Sequence, residues 1–278
     1  MILTLLTDFG AASPYVAILK GLALKKIPDL SLVDLSHQIH PGDLQEGQFF
    51  LRYCHGSFPQ GSIHLAVIDP GVGTSRLPLA IQTDKAFFIG PDNGIFTFLQ
   101  GKMRAVHQIS NPSIIAPHPA PTFHGRDIFL PAALWLAMGR SITQLGPPLP
   151  PERLVRKPLP EPSIAGKTIQ GQIIYVDNFG NLISNIPAQH LADAPSFSCR
   201  FLNWQTNTLA TTYNSGSPKE PILTRSSFNL LEIALNGGSA AEWFHLDRRQ
   251  LFAAPMHIRV SAFSLKGCQK KQEIVGNT

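Results

Sequence analysis

The chain has 278 residues, 44% of them hydrophobic and only 15% charged, enough apolar content for one large or two ordinary cores, which excludes a disordered chain. The formal charge of +5 arises from 23 scattered Lys and Arg against 18 acids, which disfavours a nucleic-acid-binding face. Cys54, Cys199 and Cys268 are odd in number and lack CxxC spacing, no basic segment precedes the first apolar run, and no apolar run reaches membrane-spanning length. A disulfide framework, a zinc site, a signal peptide and a membrane span are therefore all disfavoured, and reduced thiols in a cytoplasm are expected.

Residues 1–6 read as a short strand that delivers Asp8 just before the Gly10 turn. Pro14 suits the first turn of a helix over residues 15–26. A second strand is expected at 31–35, a helix with Asp43 and Glu46 in its first turn at 42–53, and a third strand at 63–68. Strand, helix, strand, helix, strand is α/β order. The third strand runs into DPGVGTSR, with Asp69 at its carboxyl end, where open α/β sheets place ligands. Pro70 and two glycines then turn the chain so that Arg76 returns close to Asp69. Such a pair is either a structural ion pair or the polar end of an active site. Residues 85–90 form a further strand that ends in Pro91-Asp92-Asn93-Gly94, with a helical turn at 95–99.

Thr122-Phe123-His124-Gly125-Arg126-Asp127 opens an apolar stretch through Met138 that reads as a helix. Its polar cluster is either a set of caps or a functional group at a helix start, where the dipole favours anions and lowers the pKa of a cation. Residues 146–162 hold seven prolines, a density that excludes helix and reads as a stiff connector. The expected organisation is an α/β domain over 1–150, a proline-rich linker over 151–163, a β domain over 164–265 and a polar, frayed tail over 266–278. Short strands at 171–176, 182–186, 196–202, 209–213, 230–235 and 257–260 suggest a small barrel or sandwich. Two patches there look chemical. Asp177-Asn178-Phe179-Gly180-Asn181 is either a kit for a sugar and a base or an ordinary hairpin turn. In Ser226-Ser227-Phe228-Asn229 and the apolar run after it, Glu232 interrupts a strand, as residues on a solvent face often do.

Taken together and in order, TDFG, DPGVGTSR, GPDNG, TFHGRD, VDNFGNLISNI and SSFNLLEIALNGGSAA resemble the S-adenosylmethionine hydroxide adenosyltransferase family, relatives of the enzymes that make 5'-fluoro- and 5'-chloro-deoxyadenosine. The resemblance runs from residue 2 to about residue 265. It implies an α/β N-terminal domain with a Rossmann-like layered sheet and an all-β C-terminal barrel domain. It also implies a homotrimer, with the nucleoside held between one subunit's N-domain and a neighbour's C-domain. The implied reaction is hydrolysis of S-adenosyl-L-methionine to adenosine and L-methionine by attack of water or hydroxide on the 5' carbon, with no metal or organic cofactor.

Carried over residue by residue, the family's water site falls on Asp69, Arg76 and His124. Asp8 matches the ribose-hydroxyl carboxylate, and Asn181, with Asp177 on the same turn, a nucleoside-binding amide. Ser227 matches a polar substrate contact, and Glu232 with Leu235 the segment that lines the adenine. Two positions depart from the family pattern: Ser13 stands where many relatives have an acid, and Asn229 where many have Gly. In the halide-using relatives the position of Asp69 looks to be a tyrosine, the position of His124 is also changed, and in the fluoride-using branch the position of Gly125 is a serine. Three alternatives remain at this point. One is a halogenase making a 5'-halo-deoxyadenosine. A second is a metal-dependent hydrolase using Asp8, Asp69, Asp92, His124 and Asp127, without HxH, HExxH or DxD spacing to support it. The third is a non-catalytic nucleoside binder.

Overall fold

The structure is a computed structural model that describes residues 1–192, 196–246 and 254–262 and divides into two units, Met1–Leu159 and Pro160–Thr278. The polar tail expected to fray lies outside the described residues, as does Cys268.

In the first unit β1 (Ile2–Thr7) pairs in parallel with both β2 (Ser31–Ser36) and β3 (Ser62–Val67), and α1 (Pro14–Lys26) and α2 (Leu44–Cys54) are the crossovers. β1 and β3 are covered on both faces, so they are near-continuous apolar runs, legible from sequence as such. Pro14 begins α1, where its missing N–H costs nothing, and the Asp43 carboxylate caps α2 by accepting Glu46 N–H at 2.9 Å. Three further strands, β4 (Pro78–Thr83), β5 (Ala86–Pro91) and β6 (Met103–Gln108), complete a six-stranded sheet of order β2-β1-β3-β5-β4-β6. β5 is parallel to β3, whereas β4 is antiparallel to both β5 and β6, so the sheet is mixed. In this unit β4 and β6 are the strands absent from the sequence reading, as Ser163–Ala165, Trp204–Thr206 and Ile222–Arg225 are in the second. β4 and β6 are partly polar, and they gain their place by pairing rather than by pattern.

One face of the sheet packs Leu3, Leu5 and Leu65 against the helix that follows the His124 cluster, and the other packs Leu6, Ile68 and Phe88 against α2 and its neighbours. That helix does not run as a single α-helix from the cluster. It opens as a π-helical turn, Gly125–Phe129, closed by Leu130 N–H donating to Gly125 O, and only then becomes α3 (Leu130–Ala137). The proline run also differs from a free connector. Gln108 N–H donates to Pro147 O, Leu149 N–H to Val106 O, Val155 N–H to the Asp92 carboxylate and Lys157 N–H to Thr97 Oγ1, which straps the run onto the first unit. Within it Pro151–Arg153 forms a 3₁₀ turn, because proline presets a helical φ at a turn's first position; proline density forbids long helix but not this.

The second unit begins with β7 (Ser163–Ala165), β8 (Thr168–Val176), β9 (Leu182–Pro187) and the single-turn α4 (Gln189–Ala192). It continues through β10 (Phe197–Phe201), β11 (Trp204–Thr206), β12 (Leu209–Ala210), β13 (Ile222–Arg225) and β14 (Leu230–Ala234). It ends with α5 (Ala240–Trp243) and β15 (His257–Ala262). Among the described residues nine strands follow the order β11-β10-β15-β8-β9-β14-β13-β12, with β7 on β8, and all of these pairs but β12 with β13 are antiparallel. The long β8 turns the sheet: its first half pairs with β15 and its second with β9. Gly171 sits near this bend, where a Cβ would lie 2.4 Å from Asn185 Oδ1 and 2.5 Å from Ile186. The strand expected over 209–213 stops at Ala210, and Tyr213–Ser215 instead forms a 3₁₀ turn. Among the described residues no helix is long and apolar enough to cross a membrane.

Candidate active site

Asp69 follows β3 at the carboxyl end of the parallel strands, and Val72 N–H donates back to Asp69 O to close the turn that the sequence announces. Gly73 has φ of 79°, and a Cβ there would lie 2.8 Å from Pro121 O, so only glycine lets this loop rest on the segment leading to His124. The outcome is a three-residue cluster. Arg76 Nε donates to both Asp69 oxygens at 3.0 and 3.2 Å, Nη2 donates to Asp69 Oδ2 at 2.5 Å, and Nη2 lies 2.6 Å from His124 Nδ1. The guanidinium also stands over the Phe129 ring, 5.2 Å from its centroid, and the Arg76 and Asp69 side chains are only 9% and 4% exposed.

His124 occupies the N-cap position of the π-helix, yet its side chain makes no capping hydrogen bond, so the capping alternative does not describe it. A guanidinium has only donors, so Nδ1 accepts and the ring proton is assigned to Nε2. Burial and then the Arg76 charge hold the His124 pKa below the usual histidine value, with Asp69 and Asp127 opposing. π-turns often mark functional sites, and this one sets His124 one turn ahead of Phe129.

Asp127 and Asp92 serve elsewhere. Asp127 accepts Arg126 Nε and Nη2 at 2.6 and 2.8 Å and Ala120 N–H at 2.8 Å, and the Arg126 hydrogen bonds hold its carboxyl low. Asp92 accepts Val155 N–H at 2.9 Å, and burial pushes its carboxyl up. The five-residue metal set weighed above therefore does not converge. Among the described residues no three His, Cys, Asp or Glu side chains form a metal-binding group.

Asp8 follows β1, which neighbours β3, so the two strand-end carboxylates face one region. Burial raises the Asp8 carboxyl, the Asp69 charge adds to this, and Gly42 N–H, donating to Oδ2 at 2.9 Å, opposes it. Beside them Phe9, Tyr15 and Phe123 pack edge to face with centroids 5.1 to 5.9 Å apart, an aromatic group that the sequence reading missed because its members are far apart in the chain. Ser13 Oγ donates to Phe9 O at 2.7 Å, a bond that an ionised acid could not make.

In the second unit Asp177 accepts Phe179 N–H and Asn181 N–H on Oδ1 and Asn181 Nδ2–H on Oδ2, each at 2.9 Å, the hydrogen bonds of the turn reading. Phe179 is 78% exposed at its tip. Glu232 is not on a solvent face. It is 3% exposed, accepts the Tyr213 hydroxyl at 2.9 Å, and has its carboxyl raised by burial, with the Asp177 charge adding. Tyr213 is itself pushed up to about 12 by burial and by Glu232. Register places Ile233 opposite Leu182, so Asn181, Asp177 and Leu235 share one end of β14. Ser227 is exposed in the hairpin at the other end, where Leu230 faces Pro187, about 13 Å away at a rise of about 3.3 Å per residue. Asn229 has φ of 63°, a left-handed conformation open to both Gly and Asn, so this departure from the family pattern keeps the backbone.

Two clefts of the first unit lie away from the cluster. One, about 450 Å³, is lined by Asp92, Gln100, Met103, Glu152 and Arg156, and the other, about 570 Å³, by Lys25, Lys26, Arg126, Trp135 and Arg140. Neither includes Asp8, Asp69, Arg76 or His124.

A mixed α/β unit that gathers the buried side chains of Asp69 and Arg76 and the half-buried His124 near the carboxyl end of its parallel strands, followed by a β unit, has the layout of an α/β protein with a ligand site at its strand ends. Residues 3–146 match the SAM hydroxide adenosyltransferase N-terminal domain and residues 171–252 its C-terminal domain, and the chain belongs to that family. It is 34% identical over 241 residues to an (R)-S-adenosyl-L-methionine hydrolase of Salinispora tropica, covering 85% of this chain and 90% of the relative. It is 35% identical over 246 residues to one from Thermus thermophilus, covering 85% and 92%. A fluorinase of an Actinoplanes species is less similar, 26% identical over 281 residues, covering 88% and 94%. The crystal structure of an uncharacterised conserved protein from Thermotoga maritima superposes with a TM-score of 0.84 at 27% identity, covering 94% of this chain and all of that one.

Proposed function

We propose that this chain hydrolyses S-adenosyl-L-methionine to adenosine and L-methionine by attack of water on the 5' carbon. The observation that carries the reading is the Asp69–Arg76–His124 cluster in a chain of this family. Hydroxide meeting a sulfonium destroys two opposite charges, so a poorly solvated pocket favours the transition state over the separated ions. Water must first lose a proton. His124 Nδ1 is occupied by the Arg76 donor, which leaves its Nε2–H to donate to the water and Asp69 to accept the proton, with Arg76 balancing the charge. Asp8 holds both ribose hydroxyls, keeping attack in line with the departing sulfur. Asn181, Asp177, Glu232 and Leu235 grip the nucleoside, and Ser227, at the other end of β14, contacts a more distant part of an elongated substrate. In this reading the first sheet acts as a Rossmann-like layer and the second as a barrel.

Purified protein given S-adenosyl-L-methionine without added metal should release adenosine and methionine on chromatography, with and without chelator. S-adenosylhomocysteine or methylthioadenosine instead would overturn the assignment. In excess chloride or fluoride, mass spectrometry should find no dominant 5'-halo-deoxyadenosine. A halide needs donors and no base, and the anionic Asp69 repels it while accepting a hydrogen bond from water.

The assembly proposed is a homotrimer in which the first unit of one chain and the second unit of a neighbour enclose the nucleoside. Light scattering should report a multiple of three chains, and a stable, active monomer would contradict it.

A further inference from the structure

The turn that carries Asp8 is held from outside the cluster. Thr7 is fully buried, and its hydroxyl accepts Phe9 N–H at 3.3 Å and lies 2.9 Å from His37 Nδ1. Having accepted one proton, the hydroxyl has one to give, and Nδ1 is the acceptor within reach. The opposite nitrogen, His37 Nε2, lies 3.0 Å from Asp34 Oδ1, off the ideal hydrogen-bonding line but close enough for the carboxylate to favour a proton there. Asp34 Oδ2 takes Lys20 Nζ at 2.5 Å from α1. Burial opposes charge on Asp34, but the hydrogen bond from Lys20 and the closeness of the His37 ring outweigh it and hold the carboxyl below its usual range. The His37 carbonyl accepts Gly10 N–H at 2.8 Å, where Gly10 takes a left-handed φ of 76°. His37 thus grips the chain on both sides of Asp8, Thr7 by its ring and Gly10 by its carbonyl.

We propose that His37 is a positioning residue for nucleoside binding: the series Lys20, Asp34, His37 and Thr7 fixes the turn so that Asp8 meets two ribose hydroxyls without reorganising. This rests on the reading of Asp8 as the ribose carboxylate. A carboxylate that must accept two bonds from one ring needs a set direction, and a loose turn would lose entropy on binding.

The experiment compares wild type, His37→Ala, His37→Asn and Thr7→Val by adenosine calorimetry and S-adenosyl-L-methionine kinetics, and repeats His37→Ala in an Asp8→Ala background. Hydrogen exchange at the Phe9 and Gly10 amides is read on the same proteins. His37→Ala and Thr7→Val should raise Kd and KM about tenfold with kcat within about threefold, the scale of one lost hydrogen bond. Asn places an oxygen near the Nδ1 position, so His37→Asn should restore most of the loss. With Asp8 already Ala, His37→Ala should have no further effect on adenosine binding. A loss confined to kcat, a full additional loss without Asp8, or unchanged amide exchange in His37→Ala would each overturn the proposal. If wild type binds no adenosine while the exchange difference persists, the function assigned to Asp8 falls and the turn-holding role of His37 stands.

Discussion

Asp69→Asn should lower kcat by about a hundred- to ten-thousandfold while adenosine binding changes little, the range for removing a general base. Asparagine keeps the shape and one acceptor for Arg76 but cannot take the proton of the attacking water. The expectation is asymmetric because the geometry is: Arg76 donates to His124 Nδ1 at 2.6 Å, so the imidazole has no free lone pair on that side, and burial and the same guanidinium keep it neutral. His124→Asn should therefore cost less than Asp69→Asn. Arg76→Lys should cost as much as Asp69→Asn, because a point charge cannot serve Asp69 and His124 together as the planar fork does. Stopped-assay kinetics with a thermal-unfolding control separate these losses from misfolding, which matters because an unpaired charge at a site this buried also destabilises. Full turnover by Asp69→Asn would make the pair a structural ion pair, and a larger loss from His124→Asn would reverse the assignment of the base.

Stability should fall by about 2 kcal/mol between about pH 7 and about pH 5, and this part of the loss should vanish in His64→Phe. His64 lies on β3, is fully buried between Phe58, Phe88 and His55, and takes one hydrogen bond, between Nδ1 and Thr4 Oγ1, while Nε2 has no partner. Burial, and then the neighbouring His55, push its pKa down from 6.5 to about 4. The unfolded chain therefore binds a proton near pH 6.5 that the folded chain refuses until about pH 4. The stability is complete above the unfolded value and is lost as pH falls from there through the folded one. Phenylalanine fits the aromatic surroundings and cannot titrate. Denaturant unfolding of both proteins at the two pH values gives the difference directly, and equal slopes would show that His64 does not carry it.

Much of the first unit was legible because local chemistry and global role coincide there. The apolar runs of β1 and β3 are buried on both faces, Pro14 and Asp43 start helices as their side chains dictate, and DPGVGTSR must turn. A turn of that length returns Arg76 to Asp69, so two of the three members of the cluster were readable from eleven residues. The ordered motifs carried the family, since six short signals in register are far less ambiguous than one.

The rest depended on what the fold brings together. His124 is 48 residues from Arg76, and only the packing of Gly73 on Pro121 and the π-turn after it put Nδ1 on the guanidinium instead of on a helix cap. β4 and β6 are strands because a sheet edge offers partners for their backbone groups, which no periodicity of six partly polar residues reveals. Glu232 looked solvent-facing by type, but Tyr213, an exposed residue on a 3₁₀ turn where a strand was expected, reaches it with its hydroxyl and supplies the hydrogen bond that lets a carboxyl be buried. Short-range sterics and patterning determine where the chain turns and which faces it hides; which distant polar groups meet, and so what each carboxylate can do, is decided by tertiary packing, because burial and partners set protonation.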